Sequence, residues 1–166
     1  MTASLPGPVA STDAIRLALQ SWPDVDRYLE TCKGVIIPLG STEQHGPTGA
    51  IGTDALTADA VALELGRRSG VLVTPVQAFG MAEHHLGFSG TMSLQPATLL
   101  AVLHDLVLSL ATHGFERILV VNGHGGNIAT AKAAFAQAYG TAASRGLEVA
   151  PRLRCRLANW LSLIHI

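Results

Sequence analysis

The sequence predicts an α/β fold with a mostly parallel central sheet. Three observations carry that prediction. Short β-branched runs at residues 34–39 (Gly-Val-Ile-Ile-Pro-Leu) and 117–121 (Arg-Ile-Leu-Val-Val) read as buried strands. Longer stretches between them place apolar residues at helical spacing. The two kinds of segment alternate, which implies parallel strands joined by right-handed crossovers.

Residues 1–20, rich in Ala, Ser, Thr and Pro, are expected to form an N-terminal arm ahead of a domain over 21–160. Trp22-Pro23-Asp24 reads as a helix start, with Val25, Tyr28 and Leu29 on one apolar face. The strand at 34–39 leads into a loop over 43–54. Asp54 stands where it can cap the next helix, whose apolar side is expected from Leu56, Ala60, Leu63 and Leu65 and whose end falls near Ser69-Gly70. A second strand is expected at 71–74. A loop then passes through Gly80, Glu83, His84, His85, Gly90 and Thr91. Pro96 opens a long helix with Leu99, Leu100, Leu103, Leu106, Val107 and Leu110 as its stripe, ended by Gly114. The strand at 117–121 precedes a third sheet-covering helix from Asn127 to about Ala143. Residues 147–158, where Arg152, Arg154 and Arg156 alternate with apolar residues, read as an edge strand with one face in water.

Composition narrows the function classes. The 166 residues are 48% hydrophobic and 14% charged, with a formal net charge of -1, so the chain is globular and lacks the basic footprint of a nucleic-acid binder. Apolar runs are shorter than the ~20 residues of a membrane span. Two cysteines far apart, Cys32 and Cys155, and no basic-then-apolar leader give the expectation of a cytoplasmic protein. The low charge suggests a surface covered by another subunit, hence a homo-oligomer.

Two stretches carry the chemistry. One is Gly40-Ser41-Thr42-Glu43-Gln44-His45-Gly46-Pro47 with Gly52-Thr53-Asp54; the other is Asn122-Gly123-His124-Gly125-Gly126-Asn127. Each follows an apolar strand, and in open parallel sheets ligands bind beyond the carboxyl ends of the strands. Together they offer two imidazoles and two carboxylates, a donor set suited to zinc, manganese or iron. Other readings stand beside this one. Asp54 can simply cap a helix, Glu43 and His45 can be surface loop residues, and residues 123–127 can form a plain turn or an anion cradle for a nucleotide. Glu83-His84-His85 is a further acidic and imidazole cluster. Ser41 lacks the context of a serine nucleophile.

Taken jointly with His85-Leu-Gly-Phe-Ser-Gly-Thr91, these motifs resemble the creatininase (creatinine amidohydrolase) family over roughly residues 20–160. The resemblance implies a three-layer α/β/α fold and a two-metal site (Zn, Mn or Fe) in an oligomer, often a hexamer. Its members hydrolyse C–N bonds of small or cyclic amides, or trim a short peptide, the mycofactocin precursor. By the same resemblance Asp54 bridges the metals, Glu43 and His124 bind one, His45 binds the other, and His85 and Gly125 line the substrate pocket. The chain departs from the family pattern at Gly126, where some members carry a metal-binding glutamate, at Thr48-Gly49-Ala50, and at Ser89. The later segment that supplies the glutamate in other members is absent from the sequence. The expectation is therefore a C-terminally truncated member with a foreign tail at 161–166, an acid/base group lying in the missing part, and a competing role as a non-catalytic metal-binding fragment.

Overall fold

The structure, a computed structural model, describes residues 11–160. Its centre is a four-stranded, wholly parallel sheet in the order β2-β1-β3-β4, formed by β1 (Gly34–Leu39), β2 (Leu72–Val73), β3 (Arg117–Asn122) and β4 (Arg154–Asn159). The chain leaves β1 for β2 on one side, then crosses to β3 on the other. The crevice beyond β1 and β3 is thus the topological switch point, the usual ligand position in such sheets.

Side chains alternate across the strands. Val35, Ile37, Leu39, Ile118 and Val120 face a core built with α2 (Trp22–Thr31), α4 (Pro96–Thr112) and α5 (Ile128–Ser144). Ile36, Val73 and Val121 face the opposite side, against α1 (Thr12–Ile15) and α3 (Thr53–Ser69). This is the three-layer arrangement expected. Gly70 takes the left-handed conformation (φ 72°) that closes α3.

Within the segment expected as an N-terminal arm, Ser11 caps α1 and Ile15 is buried against α3 and Val73; residues 1–10 and the expected tail at 161–166 lie outside the described residues. Three expectations need correction. The buried side of α3 is Ala55, Ala58, Ala62 and Gly66, while Leu56 and Leu65 are exposed. The stripe with the larger side chains, which the sequence marks as the buried one, faces outward in part, because a close helix–strand approach selects small residues. On α4, Leu106 is exposed and Leu108 and Ala111 are buried. Residues 147–153 form turns, held by Leu153 N–H donating to the Val149 carbonyl, so β4 begins only at Arg154. β4 lies at the sheet edge, with Arg154 and Arg156 exposed.

The register sets the site. Leu39, Asn122 and Asn159 form one row at the carboxyl ends. Gly40-Ser41 and Gly123-His124 therefore leave the sheet side by side. Gly123 N–H donates to the Leu39 carbonyl at 2.8 Å, extending the pairing by one residue. No helix among the described residues is long and apolar enough to cross a membrane.

Candidate metal centre

Glu43, Asp54 and His124 converge beyond this row. Each offers a ligand atom within 4.8 Å of the other two, and all three are buried. Buried carboxylates require a cationic partner or several hydrogen-bond donors.

Asp54 does not cap α3. Gly52 is the N-cap residue, and Asp54 is the second residue of the helix, with its carboxylate turned toward the imidazoles. Oδ1 is 3.0 Å from His45 Nε2, and Oδ2 is 3.0 Å from His124 Nδ1. Glu43 Oε1 stands 3.1 Å from the same Nδ1. Ser41 Oγ donates to the other Glu43 oxygen at 2.9 Å. Ser41 is thus fully buried support for a carboxylate, a role its sequence context gave no sign of.

The far nitrogen of each imidazole identifies its tautomer. His124 Nε2 is 2.9 Å from the Met81 carbonyl, and His45 Nδ1 is 3.1 Å from the Glu43 carbonyl. A carbonyl only accepts, so each ring spends its N–H there. The nitrogen left bare on each ring is the one aimed at Asp54. Two lone pairs do not face each other at 3.0 Å without a cation between them, whether a proton or a metal. Burial works against charge on His124, but its hydrogen bond to Asp54 and the charges of Glu43 and Asp54 outweigh this and hold its pKa above the ordinary value. Backbone-oriented imidazoles with a bare nitrogen toward carboxylates are the usual arrangement around bound zinc. The residues present fit a divalent metal.

Small residues and amides hold this geometry. A Cβ at Gly123 would lie 2.4 Å from the Asp54 carbonyl oxygen. A Cβ at Gly126 would lie 2.5 Å from both His124 Nε2 and the Met81 oxygen, so no side chain fits there beside His124. Buried Asn127 braces three segments: it donates to the Gly40 carbonyl and to Asn122 Oδ1, and accepts from Met81 N–H.

His85 lies at the rim, its Nε2 3.5 Å from Glu43 Oε1 and its Nδ1 2.9 Å from Gln44 Nε2. The His84 ring packs 4.1 Å from the His85 ring and stacks 6.1 Å from that of His124. Gly125 is exposed, with open space where a Cβ would be. His45 touches Asp54 but lies outside the tight trio. His104 bonds Thr141 on α5, and exposed His113 ends α4, so both are remote from the trio's partners. Cys155 is no nucleophile, since burial pushes its thiol up to about 11. The contributions of Ser41, Gln44, Met81, Asn122 and Asn127 escaped the sequence reading. Only the asparagines carried a signal, as polar ends of a glycine-rich turn.

Comparison with known proteins follows the same lines. The chain is 41% identical over 108 residues to the mycofactocin precursor peptide peptidase of Mycolicibacterium smegmatis, a match covering 61% of this chain and 43% of that protein. It is 35% identical over 95 residues to the creatinine amidohydrolase of Pseudomonas putida, covering 54% and 36%. The chain thus spans less than half the length of these curated relatives. The fold superposes on a crystal structure of creatinine amidohydrolase (creatininase) with a TM-score of 0.85 and 24% identity, covering 91% of this chain and 60% of the other. The creatininase family profile, described as creatinine amidohydrolase, matches residues 18–165. The chain belongs to the creatininase family.

Proposed function

We propose that the chain carries the metal centre of a metal-dependent amidohydrolase that cleaves a C–N bond of a small amide. The observation that supports this most is Asp54, whose two carboxylate oxygens each lie 3.0 Å from a nitrogen of a different imidazole. In this reading Glu43, Asp54 and His124 would hold one divalent ion, and His45 with Asp54 would hold a second. Solved creatininases described as manganese and Zn–Zn forms favour those metals, with iron also compatible with the donor set. Bound there, such ions supply a water nucleophile at neutral pH and polarise the scissile carbonyl.

The protein's own groups do the positioning. Met81 and Glu43 carbonyls hold the two rings by their N–H groups, so neither nitrogen turns away. Ser41 holds Glu43 by its second oxygen. Glu43 and Asp54 are both buried, which strengthens their attraction for a cation. The bare backbone at Gly125 leaves room for a substrate to approach, and His85 lines its path. The 41% identity to a precursor-peptide peptidase favours a second substrate reading, a short peptide. Exposed Ile51, Phe79, Leu86, Phe88 and Met92 on the loops around the site support a homo-oligomer. The two free cysteines suit the reducing cytoplasm.

Calorimetric titration with Zn²⁺ and Mn²⁺ tests the reading, the wild type beside Glu43→Gln. Binding by the wild type, weakened in the variant, is the expected result; equal binding by both, or by neither, contradicts it. Turnover of creatinine, a formamide or a short peptide by the loaded chain then separates the enzyme from a metal-binding fragment without chemistry.

A further inference from the structure

We propose that Gln44 is a positioning residue that fixes which nitrogen of His85 carries the proton, so that His85 offers an N–H donor at the rim of the metal centre. Gly46 holds a left-handed conformation (φ 75°) and turns its N–H back onto Gln44 Oε1 at 2.9 Å. That contact orients the amide, because its oxygen faces a donor and its nitrogen must lie on the other side. Gln44 Nε2 then stands 2.9 Å from His85 Nδ1. An amide NH₂ only donates, so Nδ1 accepts and the ring proton sits on Nε2.

The Nε2–H group is aimed at Glu43 Oε1 but stops 3.5 Å short, longer than a good hydrogen bond. It is therefore directed into the site without being consumed there. The His85 side chain is 23% exposed, and its ring packs 4.1 Å from the neighbouring His84 ring. A neutral donor at this point suits an acceptor oxygen, the carbonyl or a carboxylate of an amide substrate. The identity of that acceptor rests on the function proposed above; the placement of the proton does not.

The test is long-range ¹H–¹⁵N NMR of the His85 ring, in metal-free and Zn²⁺-loaded chain, in alkaline buffer where the imidazole is neutral. The wild type is expected to show a protonated Nε2 and an unprotonated Nδ1. Gln44→Met removes the donor and is expected to give a mixture of tautomers. Gln44→Glu offers only acceptors and is expected to exchange the two nitrogen signals. A merely structural role for Gln44 would leave the ring signals where they are. A wild-type ring protonated at Nδ1, or a tautomer unchanged in both variants, would overturn the proposal. Because the metal-free spectrum suffices, absence of metal binding would refute the proposed function and leave this result readable.

Discussion

Helices α3 and α4 are each 17 residues long and flank the same strands from opposite sides, yet they pack by different means. α4 buries Leu99, Leu103, Val107, Leu108 and Ala111, filling its side with bulk. α3 buries Ala55, Ala58, Ala62 and Gly66, and approaches so closely that a Cβ on Gly40 would lie 2.3 Å from the Ala55 Cα. Bulk on one side supplies stability through buried area. Close backbone contact on the other fixes where the first turn of α3 sits, and that turn carries Asp54. Stability and site geometry are thus assigned to opposite faces.

Substitutions can separate the two roles. Leu103→Ala, on the α4 side, is expected to cost about 2–5 kcal/mol in urea unfolding, with the Zn²⁺ affinity of the folded protein unchanged. Gly40→Ala should cost less, about 1–3 kcal/mol, but should weaken Zn²⁺ binding about 10–100-fold by displacing Asp54. Equal losses of affinity in both variants would erase the distinction between the faces. A subtler effect follows from His124, whose pKa is raised in the fold. In the metal-free chain its contribution to stability is full below the ordinary histidine pKa and is lost as pH rises through the raised value. A metal bound as proposed would compete with the proton for the same Nδ1, so Zn²⁺ affinity should change the opposite way, tightening as pH rises through that value. Opposite slopes in thermal melts of the metal-free chain and in calorimetry with Zn²⁺ would show one nitrogen serving both. The smallest effect is expected of Leu56→Ser: this α3 leucine is 65% exposed, and its loss should change stability by no more than about 0.5 kcal/mol in the same unfolding assay.

The sequence was legible where local chemistry decides the outcome. β1 begins and ends at the residues its glycine-bounded run marks, and α4 starts at Pro96. β3 runs one residue further, to Asn122, because its partner strand continues to pair. The buried face of α3 was not legible, since hydrophobicity favours Leu56 and Leu65 whereas close approach favours alanine and glycine. The start of β4 was obscured because 147–153 is apolar enough for a strand but closes into turns. At the site, Glu43, Asp54 and His124 stood out by residue type and place. Met81 contributes only a backbone carbonyl, which any residue has. Gln44 and His85 meet across 41 positions of chain, a distance no local pattern spans.

The proposed metal centre depends above all on the Asp54 carboxylate, which stands between two imidazoles. Elemental analysis of purified wild type and Asp54→Asn, after equilibration with Zn²⁺ and removal of free metal, tests it most directly. Zinc approaching two ions per chain is expected in the wild type and its loss in the variant, with α/β circular dichroism retained. A wild type that holds no zinc, or an Asp54→Asn chain that holds as much, would contradict it.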